Sequence, residues 1–369
     1  MFTVKTNISQ FDTFAEFAKA FELGSNDLVI TQSFIYEPYI KPLGLPCTFV
    51  MQEKYGMGEP SDEMIQNIMN DNAKVEYNRV VAVGGGTVID ISKIFSLGHL
   101  DNVTDAFERK IPIVKKKQLV IIPTTCGTGS EVTNISIAEL KQRHTKLGLA
   151  DNAILADDAV LIPELLKSLP FKPYAFSAID ALIHATESYL SPKATPYSRM
   201  FSVEAIRLII PIFCGIAKEG PEYRLEHLEE MLRASNYAGI AFGNAGCGAV
   251  HALSYPLGGN YHVPHGESNY QFYTHIFKLY TQKNPNGAIK DLNKLMADML
   301  GTTPENVYEA LEQLLNNLAT KRPLHEFGMK EEETVAFADN VIATQQRLLN
   351  NNYTPFSRDE IVKIYKDLF

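Results

Sequence analysis

Three histidines, His251, His262 and His265, lie within one stretch, residues 249–269, which reads AVHALSYPLGGNYHVPHGESN. Neutral imidazole is the commonest nitrogen ligand for a metal ion, and it also carries protons near neutral pH. A second stretch, residues 178–188 (AIDALIHATES), offers Asp180 and His184 four residues apart. On a helix that spacing puts both side chains on one face. Taken alone, such a pair is more often a helix hydrogen bond than a ligand pair. His251 and His265, separated by a run rich in glycine and proline, make the stronger signal. Any two of the three histidines in that run suffice for a site. Three imidazoles and one carboxylate suit Fe(II) or Zn(II), whereas Mg(II) and Ca(II) prefer oxygen donors throughout. Such an ion with an open position is a Lewis acid: it polarises a carbonyl or lowers the pKa of an alcohol.

Two further segments bear on cofactor chemistry. RVVAV, residues 79–83, reads as a buried strand and runs into Gly84, Gly85, Gly86 and Thr87, after which Ile89, Ile91, Ile94 and Phe95 follow in a helical pattern. Glycines let the backbone approach a ligand, and the free N–H groups of a helix N-terminus hold phosphate. This is not the GxGxxG fingerprint, and by itself a structural turn explains it equally well. QLVIIP, residues 118–123, is a second such strand. It leads into Thr124, Thr125, Cys126, Gly127, Thr128, Gly129 and Ser130, a loop of hydroxyls and glycines. Two such loops at the carboxyl ends of neighbouring parallel strands line the crevice where α/β sheets bind ligands. The plainer reading of the threonines is helix capping, and that of Cys126 a small buried residue.

The elements that must position these groups fall into two halves. Up to about residue 173 short apolar runs such as DLVIT and CTFVM alternate with helical patterns, which predicts an α/β domain with a parallel sheet. After the prolines of LPFKPY (residues 169–174) nearly every segment has helical periodicity. The expected architecture is therefore an α/β dinucleotide-binding domain over residues 1–173, followed by an all-helical metal- and substrate-binding domain over residues 174–369.

Composition narrows the function. The net charge of −9 argues against a nucleic-acid-binding surface. No apolar run reaches the roughly 18 residues needed to span a bilayer, and MFTVKTNISQFDTF is unlike a signal peptide. The four scattered cysteines form no CxxC pair and suit the reducing cytoplasm. Met231, Leu232, Leu295, Met296 and Met299 read as core, with a contact between copies of a homo-oligomer as the alternative.

Four segments together resemble the iron-containing alcohol dehydrogenase family, with its dehydroquinate-synthase-like fold. They are VAVGGGTVIDISK (81–93), PTTCGTGSEVT (123–133), SAIDALIHATESY (177–189) and VHALSYPLGGNYHVPHG (250–266). The resemblance implies metal ligands Asp180, His184, His251 and His265. It implies a dinucleotide site at Gly85, Gly86, Thr87, Asp90, Thr124, Thr125, Thr128 and Lys146, for NAD(H). Its implied substrate is a small hydroxy acid or semialdehyde, with a neutral alcohol or diol as the alternative and a lyase of the same fold further off. A distal carboxylate then needs a cation, for which Arg143, His144, Lys54 and protonated His262 are the candidates, although surface charge is the commoner role of the lysine and arginine. Two positions depart from the wider family. Tyr255 stands where many members carry a proton-transferring histidine, leaving Tyr255 and His262 as candidates for acid/base work. Gln32 follows Thr31 where many NAD-using members place an aspartate against the ribose, and a neutral amide repels a 2′-phosphate less.

Overall fold

Parallel strands covered on both faces read as unbroken apolar runs, and the sheet is built from such runs. The computed structural model describes residues 2–143 and 145–369; His144 lies outside them. Among the described residues eight strands form: β1 (Asn7–Gln10), β2 (Asp27–Thr31), β3 (Thr48–Met51), β4 (Arg79–Gly84), β5 (Gln118–Pro123), β6 (Ile135–Leu140), β7 (Thr145–Ala150) and β8 (Asp158–Leu161). Six of them make one sheet in the order β1-β8-β5-β4-β2-β3, with every pairing parallel. Val81 pairs with Val29 on one side and Val120 on the other.

Alternation splits the apolar residues between two cores. Val80 and Ala82 of β4, with Leu119 and Ile121 of β5, face a layer that includes the helices Asp62–Asp71 and Gly86–Phe95. Val81 and Val83, with Val120 and Ile122, face Phe14, Phe17 and Leu165. Each such side chain, fully removed from water, contributes roughly 1.5–3 kcal/mol. Strands β6 and β7 form a separate antiparallel hairpin, an element that the period-2 pattern of ISIAEL signals only weakly.

The chain divides into two units, one of Val4–Leu169 and one of Pro170–Phe369 with the residues before Val4. The second unit is helical throughout. Its axis is the helix Phe171–Leu190, buried on most sides. Pro170 caps it and Pro173 sits in its first turn, where a missing N–H costs nothing. Around it pack the helices Pro196–Glu219, Leu228–Ala245 and His265–Lys283. Pro196–Glu219 is long and apolar enough to cross a membrane by composition, but Ile206, Ile209, Ile210 and Phe213 are buried in this core. Met231, Leu232 and Met296 are core residues too.

Candidate active site

The helix Phe171–Leu190 carries Asp180, His184 and Glu187 at positions i, i+4 and i+7, one polar stripe on an otherwise apolar rod. All three are buried. The helix Ala249–Tyr261 brings His251 against this stripe, and His265 opens the helix His265–Lys283. The glycine-rich run is thus mostly helix rather than turn: the helix passes through Pro256, Gly258 and Gly259, and the break is confined to His262, Val263 and Pro264. Gly266 is required where the third helix starts. A Cβ there would stand 2.4 Å from the Phe176 carbonyl oxygen, so only glycine lets His265 come up beside Asp180.

The four residues offer one donor atom each, all within 4.8 Å of one another. Donors on opposite sides of one ion, bound at roughly 2 Å, stand about 4 Å apart, so the cluster has the span of a single coordination shell. His184 Nε2 and His251 Nε2 face each other at 3.0 Å. Asp180 carboxylate oxygens lie 3.8 Å from His251 Nε2 and 3.9 Å from His265 Nε2. A proton on either nitrogen makes that His184–His251 contact a hydrogen bond, and a cation replaces the proton when both are deprotonated. Three nitrogens and one carboxylate are a donor set for Fe(II) or Zn(II), and the residues fit the group. Burial pushes the Asp180 carboxyl up, but His184, His265 and His251 around it, with the Asn269 amide, hold it below the usual carboxylate range.

Partners outside this shell fix the ligands. Glu187 Oε2 is 2.6 Å from His251 Nδ1, and Glu187 Oε1 accepts the Val250 N–H at 2.8 Å. A proton on Nδ1 leaves the Nε2 lone pair free for a cation. Asn269 Nδ2 donates to Asp180 Oδ1 at 2.7 Å, stands 3.1 Å from His265 Nε2, and has its own oxygen held by Ser254 Oγ at 2.5 Å. The His184 ring stacks on Phe242, centroids 4.2 Å apart. Sequence reasoning missed Glu187 and Asn269. The heptad stripe Asp180–His184–Glu187 was a usable signal for the first; Asn269, one turn beyond His265, was a weaker one. Cys247 is buried beside Glu187 and His251.

Tyr255 stands one turn beyond His251 on the same helix and is half-buried. His262 caps that helix in the left-handed region, φ 53°, with its side chain exposed.

In the other unit, the two loops lie against each other. The Thr124 N–H donates to the Gly84 carbonyl oxygen at 3.1 Å. A Cβ on Gly85 would meet Thr125 Cγ2 at 3.3 Å, and one on Gly86 would meet Thr128 Cγ2 at 3.4 Å. Bare backbone thus packs against the methyl groups of a threonine-rich loop at the carboxyl ends of β4 and β5, beside the first turn of the helix Gly86–Phe95, whose free N–H groups suit a pyrophosphate. Thr87 Oγ1 donates to the Gly58 carbonyl oxygen at 2.9 Å. Asp90 is engaged within the protein: its oxygens accept from Ser130 Oγ at 3.1 Å and the Ile137 N–H at 3.0 Å, which ties the helix to β6. Burial raises its carboxyl above the ordinary value. Lys93, fully buried, donates to Ser130 Oγ at 2.7 Å, Thr133 Oγ1 at 3.2 Å and the Ile135 carbonyl oxygen at 2.6 Å. Burial pushes its ammonium down to about 8, which still leaves three protons for three acceptors at neutral pH. Lys146 pairs with Glu59 and Arg143 with Glu108, while Lys54 is exposed.

Residues 6–163 match the iron-containing alcohol dehydrogenase family, and residues 174–369 match the C-terminal part of the Fe-containing alcohol dehydrogenase family. The chain belongs to the iron-containing alcohol dehydrogenase family and is an alcohol dehydrogenase. It is 57% identical to a 4-hydroxybutyrate dehydrogenase of Clostridium kluyveri over 363 residues, 98% of each chain. It is 33% identical to long-chain-alcohol dehydrogenase 1 of Geobacillus thermodenitrificans over 311 residues, 80% of this chain and 75% of that one. The crystal structure of a 1,3-propanediol oxidoreductase superposes over all of both chains with a TM-score of 0.85 at 24% identity, a likeness of fold.

Proposed function

We propose that the protein is an NAD(H)-dependent cytoplasmic dehydrogenase that interconverts 4-hydroxybutyrate and succinate semialdehyde. The observation that carries this reading is the 57% identity, sustained over 98% of both chains, to a 4-hydroxybutyrate dehydrogenase. When bound, an Fe(II) or Zn(II) ion supplies Lewis acidity toward the substrate oxygen, and a nicotinamide dinucleotide supplies hydride chemistry.

The chain's own residues do the rest. Asp180, His184, His251 and His265 hold the cation. With the cation in place, Glu187 would hold the remaining His251 proton on Nδ1 and leave Nε2 to the ion. Asn269 holds the Asp180 carboxylate in one rotamer, and Phe242 fixes the plane of the His184 ring. The burial of Asp180, His184 and His251 excludes water from one side of the cluster, which strengthens every charge interaction there. Proton exchange at the substrate oxygen falls to Tyr255, one turn beyond His251, with His262 at the end of the same helix as its alternative. Gly85, Gly86, Thr87, Thr124, Thr125 and Thr128 bind the phosphates, and Lys146, paired with Glu59, is the remaining residue of the dinucleotide set. Asp90 acts on that site through Ser130 and β6.

Loss of NADH absorbance on mixing with succinate semialdehyde tests the assignment. We expect stoichiometric oxidation, abolished by chelation and restored by added Fe(II) or Zn(II), with kcat/KM at least about 10-fold higher than for butanal, since one desolvated charge-assisted contact contributes about 1.5–3 kcal/mol. Equal turnover of butanal would make the enzyme one for neutral alcohols. Substrate consumed without net NADH loss would make it a lyase.

A further inference from the structure

The metal ligands come from three helices, and one distant side chain, Asn351, joins the end of the first helix to the entry of the second. The helix Phe171–Leu190, which carries Asp180 and His184, ends at Ser191. The helix Ala249–Tyr261, which carries His251, is entered from Ala245 through Gly246, Cys247 and Gly248. Asn351 is buried. Its Nδ2 donates to the Ala245 carbonyl oxygen at 2.9 Å and to the Cys247 carbonyl oxygen at 3.1 Å. Ser191 Oγ, 2.6 Å from the Ala245 carbonyl oxygen and 3.0 Å from Asn351 Oδ1, shares its proton between them. Both protons of the amide and its oxygen are thus engaged, and a buried polar network satisfied in this way fixes one arrangement of its members. The neighbouring Asn352 reaches the third helix, His265–Lys283, where the Tyr280 hydroxyl donates to Asn352 Oδ1 at 3.3 Å.

The link between the helices is shaped to accept these side chains. Gly246 has φ 80°, in the left-handed region, and a Cβ on it would stand 2.8 Å from Asn351 Nδ2. A Cβ on Gly248 would stand 2.9 Å from Asn352 Oδ1 and 3.4 Å from Glu187 Oε1. The link is therefore packed against the asparagine pair and against Glu187 at once. Directly beyond it, the Val250 N–H donates to Glu187 Oε1 at 2.8 Å, and His251 Nδ1 stands 2.6 Å from Glu187 Oε2. Hydrogen bonds of this length weaken once the heavy atoms part beyond about 3.2 Å. A shift of a few tenths of an ångström in the link is enough to loosen them.

We infer that Asn351, together with Ser191, positions the metal ligand His251. By holding the Ala245 and Cys247 carbonyl groups against the end of the helix Phe171–Leu190, it sets the direction in which the helix Ala249–Tyr261 starts. That direction presents Nδ1 of His251 to Glu187 and Nε2 to the cation. Asn351 acts through the backbone of the link and is a positioning residue. The inference rests on the reading of Asp180, His184, His251 and His265 as one metal site.

Co(II) affinity by chelator competition and the d–d spectrum of the Co(II)-loaded protein test it, on wild type, Asn351→Ala, Ser191→Ala and a control, Asn293→Ala. Asn293 is a buried asparagine of the same helical unit, with Nδ2 donating to Thr281 Oγ1 at 3.1 Å and Oδ1 accepting from the Tyr308 hydroxyl at 2.6 Å. Its removal costs stability in the same way, without touching the link. Outer partners of ligating histidines are worth about 10–100-fold in metal affinity. Asn351 stands one step further out, so Asn351→Ala is expected to lose about 10-fold, at the low end of that range, and to shift the d–d bands. Ser191→Ala is expected to change both in the same direction, and it decides the matter if Asn351→Ala does not fold. Asn293→Ala is expected to melt at a lower temperature in the metal-free state yet keep the wild-type affinity and spectrum. Wild-type affinity and spectrum in folded Asn351→Ala or Ser191→Ala overturn the inference and leave the metal site standing. An equal loss of affinity in Asn293→Ala also overturns it, because the effect is then one of general stability. Wild type that takes up no Co(II) overturns the metal reading and the inference together.

Discussion

Substituting His265 by alanine is expected to empty the metal site and lower kcat/KM on the order of 10³-fold while the fold survives. A Lewis acid supplies several kcal/mol to a charged transition state, and each 1.36 kcal/mol is a factor of ten. His265 is the ligand best suited to this test because its side chain is 37% exposed, against 3–6% for the other three. Removing it leaves no core cavity, so the metal-free variant and metal-free wild type should unfold within roughly 1 kcal/mol of each other. The comparison must be made metal-free, because an ion that binds only the folded state adds stability of its own. Full turnover in a variant that holds no metal would refute the Lewis-acid role.

The second large effect concerns a residue that touches neither substrate nor cofactor. Glu187→Gln keeps the shape of the side chain and removes its charge. The variant should lose about 10–100-fold in metal affinity, the range for outer partners of ligating histidines. The physical reason is specific. A glutamine amide can accept from Nδ1 or donate to it, so the proton on His251 is no longer confined to Nδ1. Glu187→Asp should recover part of the affinity. Chelator competition reads the affinity directly, and the d–d spectrum of the Co(II)-loaded protein reports the geometry of the shell. A spectrum and an affinity identical to wild type would reduce Glu187 to a packing role.

The pieces of the site that were legible in the sequence are those in which chemistry and local spacing coincide. Asp180 and His184 are readable because four residues make one helical turn, and the glycine loops because they follow unbroken apolar runs. The residues that escaped are those whose meaning depends on a distant partner. Glu187 lies in the same short stretch as His184, yet its role exists only because His251, 64 residues later, turns Nδ1 toward it. The run 249–261 is helix although its proline and two glycines disfavour helix locally, because burial of Val250, His251, Leu253 and Leu257 in the helical core overrides that preference. Asp90 is in the dinucleotide set that the family resemblance implies, and both of its oxygens are engaged within the protein, a partnership that local pattern does not reveal.

The central claim is that Asp180, His184, His251 and His265 hold one reactive cation. Anomalous diffraction from crystals of the iron-loaded enzyme, collected on either side of the iron edge, tests it most directly. The account predicts a single strong peak bounded by the Asp180 carboxylate and the three imidazoles, absent from crystals of His265→Ala grown in the same way. A peak that forms elsewhere in the chain, or no peak in crystals whose dissolved protein still turns over substrate at the full rate, would contradict it.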